Sequence, residues 1–215
     1  MDSKMINIII EEFGKTVYMV FFSTLFASVL GFLLGIILTV TSDSGLKPNK
    51  VIYRVLDVVI NVLRSFPFII LIVAIIPFTR AIVGTSIGET AAIVPLTIAA
   101  APFVARIIEG ALKEVDPGVI EAAKSFGASN TQIIFKVMIK EAVPSIISGL
   151  TLTVISIIGY SAMAGSVGAG GIGKLAISYG FQRFNTEVMI VTVVILIIIV
   201  QALQSLGNYL YKKLS

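Results

Sequence analysis

The sequence predicts an all-α fold that crosses a membrane about five times. Hydrophobic residues make up 57% of the 215 residues and charged residues only 13%, with a mean hydropathy of +1.03, which is more apolar surface than a soluble domain buries. A spanning helix needs about 20 apolar residues, and four runs of that length begin near Thr16, Thr90, Ala142 and Val188. We therefore expect one membrane domain over residues 1–215.

A fifth span is predicted around "FPFIILIVAIIPF", residues 66–78. This run is too short alone, and its backward extension through "VLDVVINVLRS" encloses Arg64. An arginine at mid-bilayer costs about 2.5–3.5 kcal/mol, so Arg64 must reach the interface, pair with a charge or face water. Asp57 lies two helical turns earlier, on a similar face, and is expected to share a polar surface with Arg64.

The basic residues predict the orientation of these spans. Asp2, Glu11 and Glu12 precede the first apolar run, which exceeds the apolar region of a signal peptide and is expected to remain as an anchor. Five spans place the termini on opposite sides, and the side richer in Lys and Arg is expected to be cytoplasmic. That side holds Lys47, Lys50, Arg54, Arg106, Lys113, Lys124, Lys136, Lys140, Lys212 and Lys213, whereas Lys4, Lys15, Arg80, Lys174 and Arg183 lie on the other. The N-terminus is then outside, the C-terminus is cytoplasmic, and the loop at about 107–141 faces the cytosol.

Composition also disfavours several functions. The chain contains no Cys and no His, so it lacks thiolate chemistry and the commonest metal ligand and general base. We expect no catalytic residues, no metal site and no enzymatic activity. The net charge of +4 is small, and the basic residues are spread between apolar runs, which favours contact with a lipid bilayer over nucleic acid.

The segment "GSVGAGGIGKLA", residues 165–176, matches two nucleotide-binding patterns, G-x-G-x-x-G and G-x-x-x-x-G-K. It follows an apolar helix instead of a strand, and Leu175 stands where a phosphate-binding loop needs Ser or Thr to ligate magnesium. We therefore expect no nucleotide here. Close helix packing and a moving gate both remain possible uses of these glycines.

A short helix is predicted over residues 117–126 of the cytoplasmic loop. Asp116 suits the N-cap, Pro117 the first helical position and Gly127 a left-handed C-terminal stop. Ala122 and Ala123 are expected on its surface. An ordinary solvated loop helix and a docking helix are the two interpretations.

A second helix is predicted to open at Ser129, because Gln132 three residues later completes a capping box. The stretch "EAAKSFG" before it resembles the E-A-A-x-x-x-G signature of permease subunits of bacterial ABC importers. The resemblance implies that this helix docks onto an ATPase subunit through Glu121, Ala122, Ala123 and Gly127. Lys140 stands where the signature has Pro, and Pro144 follows four residues later.

The blocks "LRSFPFIILIVAIIPFTRAIVGTSIG", "IVPLTIAAAPFVARIIEGAL" and "GYSAMAGSVGAGGIG" are most similar to methionine importer permeases. The resemblance implies an ATP-driven importer of methionine or a closely related amino acid that works by alternating access in a bacterial cell membrane. It also implies a homodimer of permeases, two cytoplasmic ATPase subunits that hold the ATP and Mg, and an extracytoplasmic substrate-binding lipoprotein. This chain itself is expected to bind no cofactor.

A substrate pathway is predicted along "GYSAMAGSVG", residues 159–168. Tyr160 and Met163 are three residues apart and share a helix face, and Ser161 adds a hydroxyl beside them. A thioether side chain would find a polarizable sulfur and an aromatic ring there. Packing at a helix interface is the alternative.

Three rival functions remain open at this point. A stand-alone secondary transporter or channel usually has repeated halves and buried acids, which we do not find in the sequence. An ABC permease for another small solute would share the same signature. An intramembrane enzyme would need a catalytic constellation within the spans.

Overall fold

A computed structural model describes residues 3–214 and is built from helices. Four continuous helical segments are long and apolar enough to cross a membrane, namely Ser3–Thr41, Glu89–Lys113, Asn130–Ala169 and Thr186–Leu214. We number the α-helices α1 (Ser3–Thr41), α2 (Lys50–Ser65), α3 (Phe68–Ala74), α4 (Ile76–Val83), α5 (Glu89–Lys113), α6 (Pro117–Ser125), α7 (Asn130–Gln132), α8 (Ile139–Ala164), α9 (Ile172–Leu175) and α10 (Thr186–Leu214). The predicted all-α membrane fold is confirmed, since no strand occurs within residues 3–214.

The fifth predicted span is a bent pair of helices. Helices α2 and α3 meet at an angle of 104°, at a break formed by Phe66 and Pro67. Proline disfavours helical geometry at the residue before it, so the bend falls where the sequence puts Pro67. The pair brings the number of candidate spans from four to five.

Helix α5 lies at the centre of the bundle. In its most apolar window 67% of residues are buried, against 11% for α10. Small residues of α1 allow the two backbones to approach closely, because a Cβ added at Gly35 would lie 2.6 Å from Cβ of Ile108. Such small-residue contacts are how helices associate where lipid gives no hydrophobic drive.

The bundle has two distinct ends. At one end the start of α1 meets the segment 165–175, which we call the glycine segment, and the N–H of Gly88 donates to the carbonyl oxygen of Gly168 at 3.0 Å. At the other end Leu46, after α1, packs in one apolar cluster with Ile120 of α6. We call these the glycine end and the loop end. The alternation of helices between them agrees with the two groups of basic residues.

The helix that follows α6 continues without a break into the membrane region. The segment Ile133–Met138 is π-helical and joins α7 to α8. Lys140 and Pro144 both lie inside α8. The replacement of the expected proline by Lys140 is therefore accommodated by a continuous helix with an insertion of π-helical turns.

Candidate functional site

Helix α6 is held by caps at both ends. The side chain of Asp116 accepts a hydrogen bond from the N–H of Gly118 at 2.7 Å. Gly127 ends the segment with a φ of +80°, a conformation that an L side chain rarely adopts. The helix predicted over residues 117–126 is confirmed to within one residue of its end. Its two caps can be recognised in the sequence because each involves residues that are close together in the chain.

The capping box that follows α6 is also present. The N–H of Gln132 donates to Oγ of Ser129 at 3.3 Å, and the N–H of Ser129 donates to Oε1 of Gln132 at 2.8 Å. This reciprocal pair satisfies two N–H groups that a helix start leaves free. The next helix therefore starts at a defined position relative to α6.

The residues predicted for docking on α6 differ in exposure. Glu121, Ala122 and Gly127 are exposed, whereas Ala123 is half-buried and packs against the apolar cluster of the loop end. The prediction that both alanines lie on the surface therefore holds fully only for Ala122. Sequence reasoning missed Phe126, whose side chain is 92% exposed beside this face.

A buried charge network joins α2 to α5 toward the loop end. Arg106 forms ion pairs with Asp57 and, at 2.7 Å, with Glu109. Glu109 also accepts hydrogen bonds from Lys113 at 2.7 Å and from the hydroxyl of Tyr53 at 3.0 Å. The carboxylate of Asp57, which was expected to share a polar surface with Arg64, pairs with Arg106 on the neighbouring helix.

The three residues predicted for the substrate pathway have different surroundings. The ring of Tyr160 stacks on Phe68, with centroids 4.9 Å apart and planes at 17°. Ser161 is buried and its hydroxyl donates to the carbonyl oxygen of Ile158 at 2.7 Å, so it serves its own helix. Met163 is half-exposed.

A cavity of about 180 Å³ lies at the bend between α2 and α3. Arg64, Phe68, Phe103 and Tyr160 are among its lining residues. The guanidinium carbon of Arg64 lies 5.9 Å from the centroid of the Phe103 ring, over its face. Of the predicted pathway residues, Tyr160 is the one that lines this cavity.

The glycine segment binds an anion that belongs to the chain itself. The N–H of Gly171 donates to Oε2 of Glu12 at 2.5 Å. The ammonium of Lys174, the residue that matches the phosphate-binding lysine, contacts Oε1 of Glu12 at 3.2 Å. Lys15 contacts the same oxygen at 3.1 Å, and the N–H of Ile172 donates to Oγ1 of Thr16 at 2.8 Å. Glu12 is thus held by one backbone N–H of the glycine segment and by two lysine ammonium groups.

Close packing explains several glycines of this segment. A Cβ added at Gly165 would lie 2.6 Å from the backbone nitrogen of Lys174, and one at Gly171 would lie 2.7 Å from Oγ1 of Thr16. Gly171 also has a φ of +85°. Of the two predicted uses of the glycines, these contacts favour close packing.

Comparison with known proteins gives a consistent result. The family described as "Binding-protein-dependent transport system inner membrane component" matches residues 7–215. A probable D-methionine transport system permease protein MetI of Vibrio cholerae is 50% identical over 207 residues, which cover 96% of this chain and 92% of the relative. The methionine import system permease protein MetP of Bacillus subtilis is 48% identical over 172 residues, 80% of this chain and 78% of the relative.

Solved structures also match along the whole chain. An inward-facing structure of the MetNI methionine ABC transporter superposes with a TM-score of 0.97 and 43% identity, covering 100% of both chains. An amino acid ABC transporter crystallised with histidines superposes with a TM-score of 0.81 at 22% identity, covering 98% of this chain and 95% of that one. The second likeness supports the fold alone.

Proposed function

Because the chain belongs to the family of binding-protein-dependent transport system inner membrane components, we propose that it is the permease subunit of an ATP-driven importer of methionine or a closely related amino acid. The observation that supports this most is the superposition of the entire chain on a methionine ABC transporter subunit. The named relatives agree with it. A stand-alone transporter would not need the exposed α6, and an ABC permease for another solute is the remaining alternative.

In this proposal α6 couples ATP use to transport. Its caps keep it rigid, and its exposed face offers Glu121, Ala122 and Phe126 to a cleft on an ATPase subunit. Small residues let a partner surface approach closely, and burial of the exposed Phe126 side chain in the cleft would stabilise the complex. Ala123 packs inward and Gly127 sets the stop, so these two residues hold the helix in position for docking.

The coupling role fixes the proposed orientation. The loop end would face the cytoplasm with its ATPase subunits, so the N-terminus would be outside and the C-terminus cytoplasmic. The glycine end would then face an extracytoplasmic substrate-binding protein. A bacterial cell membrane is the proposed location, as the family description of an inner membrane component implies.

A homodimer provides the translocation pathway in this scheme. Each chain has one small cavity of about 180 Å³ beside its candidate pathway residue Tyr160 among the cavities of the described residues. A two-fold axis would let both copies line one route, and ATP binding to the two ATPase subunits would turn it outward and hydrolysis inward. The chain would itself bind neither ATP, Mg nor another metal and would catalyse no reaction.

Tyr160 and Met163 are proposed to line this route. Tyr160 borders the cavity and Met163 is half-exposed, so both can meet a passing thioether side chain. Ser161 would contribute by fixing the helix between them, because its hydroxyl is bonded to the backbone.

The test is reconstitution of the complete importer. The chain is expressed with its ATPase subunit, purified, placed in liposomes and supplied with the binding protein from the same genome. We expect uptake of labelled methionine that requires ATP inside the liposomes and is absent when the ATPase subunit is omitted. Uptake of another solute, but not of methionine, would favour the alternative permease, and uptake without the ATPase would refute the coupling scheme.

The pathway assignment needs separate variants. Tyr160→Phe and Met163→Ala are compared with Val194→Ala, an exposed residue of α10, at equal levels of assembled complex. Slower methionine uptake in the first two variants alone would support a pathway here. Equal uptake in all three would make Tyr160 and Met163 packing residues.

A further inference from the structure

Arg64, an exposed residue near the end of α2, differs from the half-buried Arg106 of α5. Arg106 is matched by Asp57 and Glu109, whereas no carboxylate of residues 3–214 forms an ion pair with Arg64. Its guanidinium instead lies over the ring of Phe103. Within a membrane-spanning region an arginine is costly unless it pairs or meets water, and ionisable residues there often mark substrate pathways.

The space beside Arg64 exposes mainly polar surface, and aromatic side chains are among its lining residues. Phe68 is buried, and its ring stacks on the ring of Tyr160, which also lines the cavity. The hydroxyl of Tyr160 makes no hydrogen bond within the described part of the chain. The cavity therefore offers one fixed positive charge, one free hydroxyl and aromatic faces within about 180 Å³.

We propose that Arg64 binds the α-carboxylate of the amino acid in transit, while the substrate side chain packs against the ring of Tyr160. This proposal rests on the proposed function. A guanidinium presents parallel N–H donors that match a carboxylate in a bidentate pair. Thioether sulfur makes favourable contacts with aromatic rings, so Phe68 and Tyr160 suit a methionine side chain as well.

The size of the cavity predicts a weak and transient site. Pockets that enclose a small ligand usually measure about 300–1,000 Å³, and the cavity beside Arg64 is smaller. It can take the head of an amino acid but leaves the rest of the ligand only partly covered. Weak binding suits a transporter, because a tight site would slow the release of the amino acid.

The first experiment measures transport by the complete importer in liposomes. Arg64→Gln is expected to lower methionine uptake by about tenfold, because the carboxylate loses its charged partner, while ATP hydrolysis and subunit assembly remain. Arg64→Lys keeps the charge but not the paired donors, so it is expected to recover part of the uptake. The control is Arg80→Gln, since Arg80 is an exposed arginine of α4 that donates to Ser86 at 3.2 Å and does not line the cavity.

The outcomes separate this proposal from the proposed function. If the wild-type complex takes up no methionine, the proposed function fails. If wild type, Arg64→Gln and Arg80→Gln all take up methionine equally, only the role of Arg64 is refuted. Equal loss in Arg64→Gln and Arg64→Lys, with no recovery by the retained charge, would also count against carboxylate binding.

A second experiment needs no variant and tests recognition of the carboxylate even if Arg64→Gln does not assemble. Saturation-transfer NMR detects weak ligands of the purified complex without the binding protein, after subtraction of the signal from the ATPase subunit alone. L-methionine is compared with L-methioninamide, which lacks the carboxylate. We expect about fivefold weaker transfer to the amide. Equal transfer to both ligands, or none to methionine, would overturn the proposal.

Discussion

The two ends of the bundle are held by different kinds of contact. At the glycine end, the backbone N–H of Gly171 binds the buried carboxylate of Glu12, which lies 159 residues earlier in the chain. At the loop end, α6 is capped locally, since the Asp116 side chain accepts from the N–H of Gly118 two residues later, and its inner face packs on an apolar cluster through Ile120 and Ala123. The glycine end is therefore fixed by long-range contacts, whereas α6 has a free face for a partner.

This difference predicts which substitutions damage the fold and which damage only coupling. Changes at the glycine end should lower stability to the extent that they crowd or break its buried contacts. Changes on α6 should leave the fold nearly intact and affect the complex with the ATPase. The predictions below follow that order of expected loss in stability.

Gly171→Ala should have the largest effect. The new methyl group would lie 2.7 Å from Oγ1 of Thr16 and the backbone would keep a φ of +85°, so we expect a loss of about 2–5 kcal/mol. The measurement is the apparent melting temperature in detergent by circular dichroism. Gly159→Ala is the matched control, because a Cβ at this helical glycine has no neighbour within 4 Å. Equal melting of both variants would show that the glycine segment is not closely packed.

Glu12→Gln should come next. The amide keeps the size of the side chain but removes the charge that faces Lys15 and Lys174, and we expect a loss of about 1–3 kcal/mol. Glu11→Gln is the control, since the Glu11 side chain is 66% exposed while it also pairs with Lys15. It should change stability by about 0–1 kcal/mol. A control as damaging as Glu12→Gln would contradict the role of the buried carboxylate.

Gly127→Val should have a small effect on folding and a large one on coupling. The φ of +80° makes a β-branched residue cost about 1–2 kcal/mol at this exposed turn, yet a Cβ there meets nothing within 4 Å. We expect nearly normal melting with less ATPase subunit co-purified and methionine uptake about tenfold lower.

Gly127→Asn tests the cause of that loss. Asparagine tolerates the left-handed conformation better than other residues with a side chain, so it should restore most of the co-purified ATPase subunit. If valine and asparagine behave like wild type in both measurements, Gly127 has no part in coupling.

The same contrast explains what the sequence could predict. The caps of α6 and the Ser129–Gln132 box were predicted correctly, because each involves residues within a few positions of one another. The run of residues 66–78 was recognised as too short for a straight span, and Pro67 predicts a kink in it, which the structure confirms. Proline indicates a break but not its angle, which depends on packing against α5 and α8.

Long-range pairs were beyond the sequence. Asp57 was expected only to share a polar surface with Arg64 on the same helix, and its pairing with Arg106, 49 residues away, was not predicted. The partner of the glycine segment was missed for the same reason, although an acid in the first apolar helix, Glu12, was visible. A charged residue within an apolar helix signals a partner, and only the fold identifies it.

Lys174→Ala should have the smallest effect and bears most directly on the nucleotide-binding pattern. The side chain of Lys174 is 44% exposed, and Glu12 retains Lys15 and the N–H of Gly171 without it, so we expect a loss of about 0–1 kcal/mol. The wild-type permease, purified without its ATPase subunit, should bind no ATP in equilibrium dialysis, because the carboxylate of Glu12 already engages the N–H of Gly171 and the ammonium of Lys174. Micromolar ATP binding by wild type that Lys174→Ala abolishes would mean that a nucleotide displaces Glu12, and the glycine end would then be a ligand site instead of a packed contact.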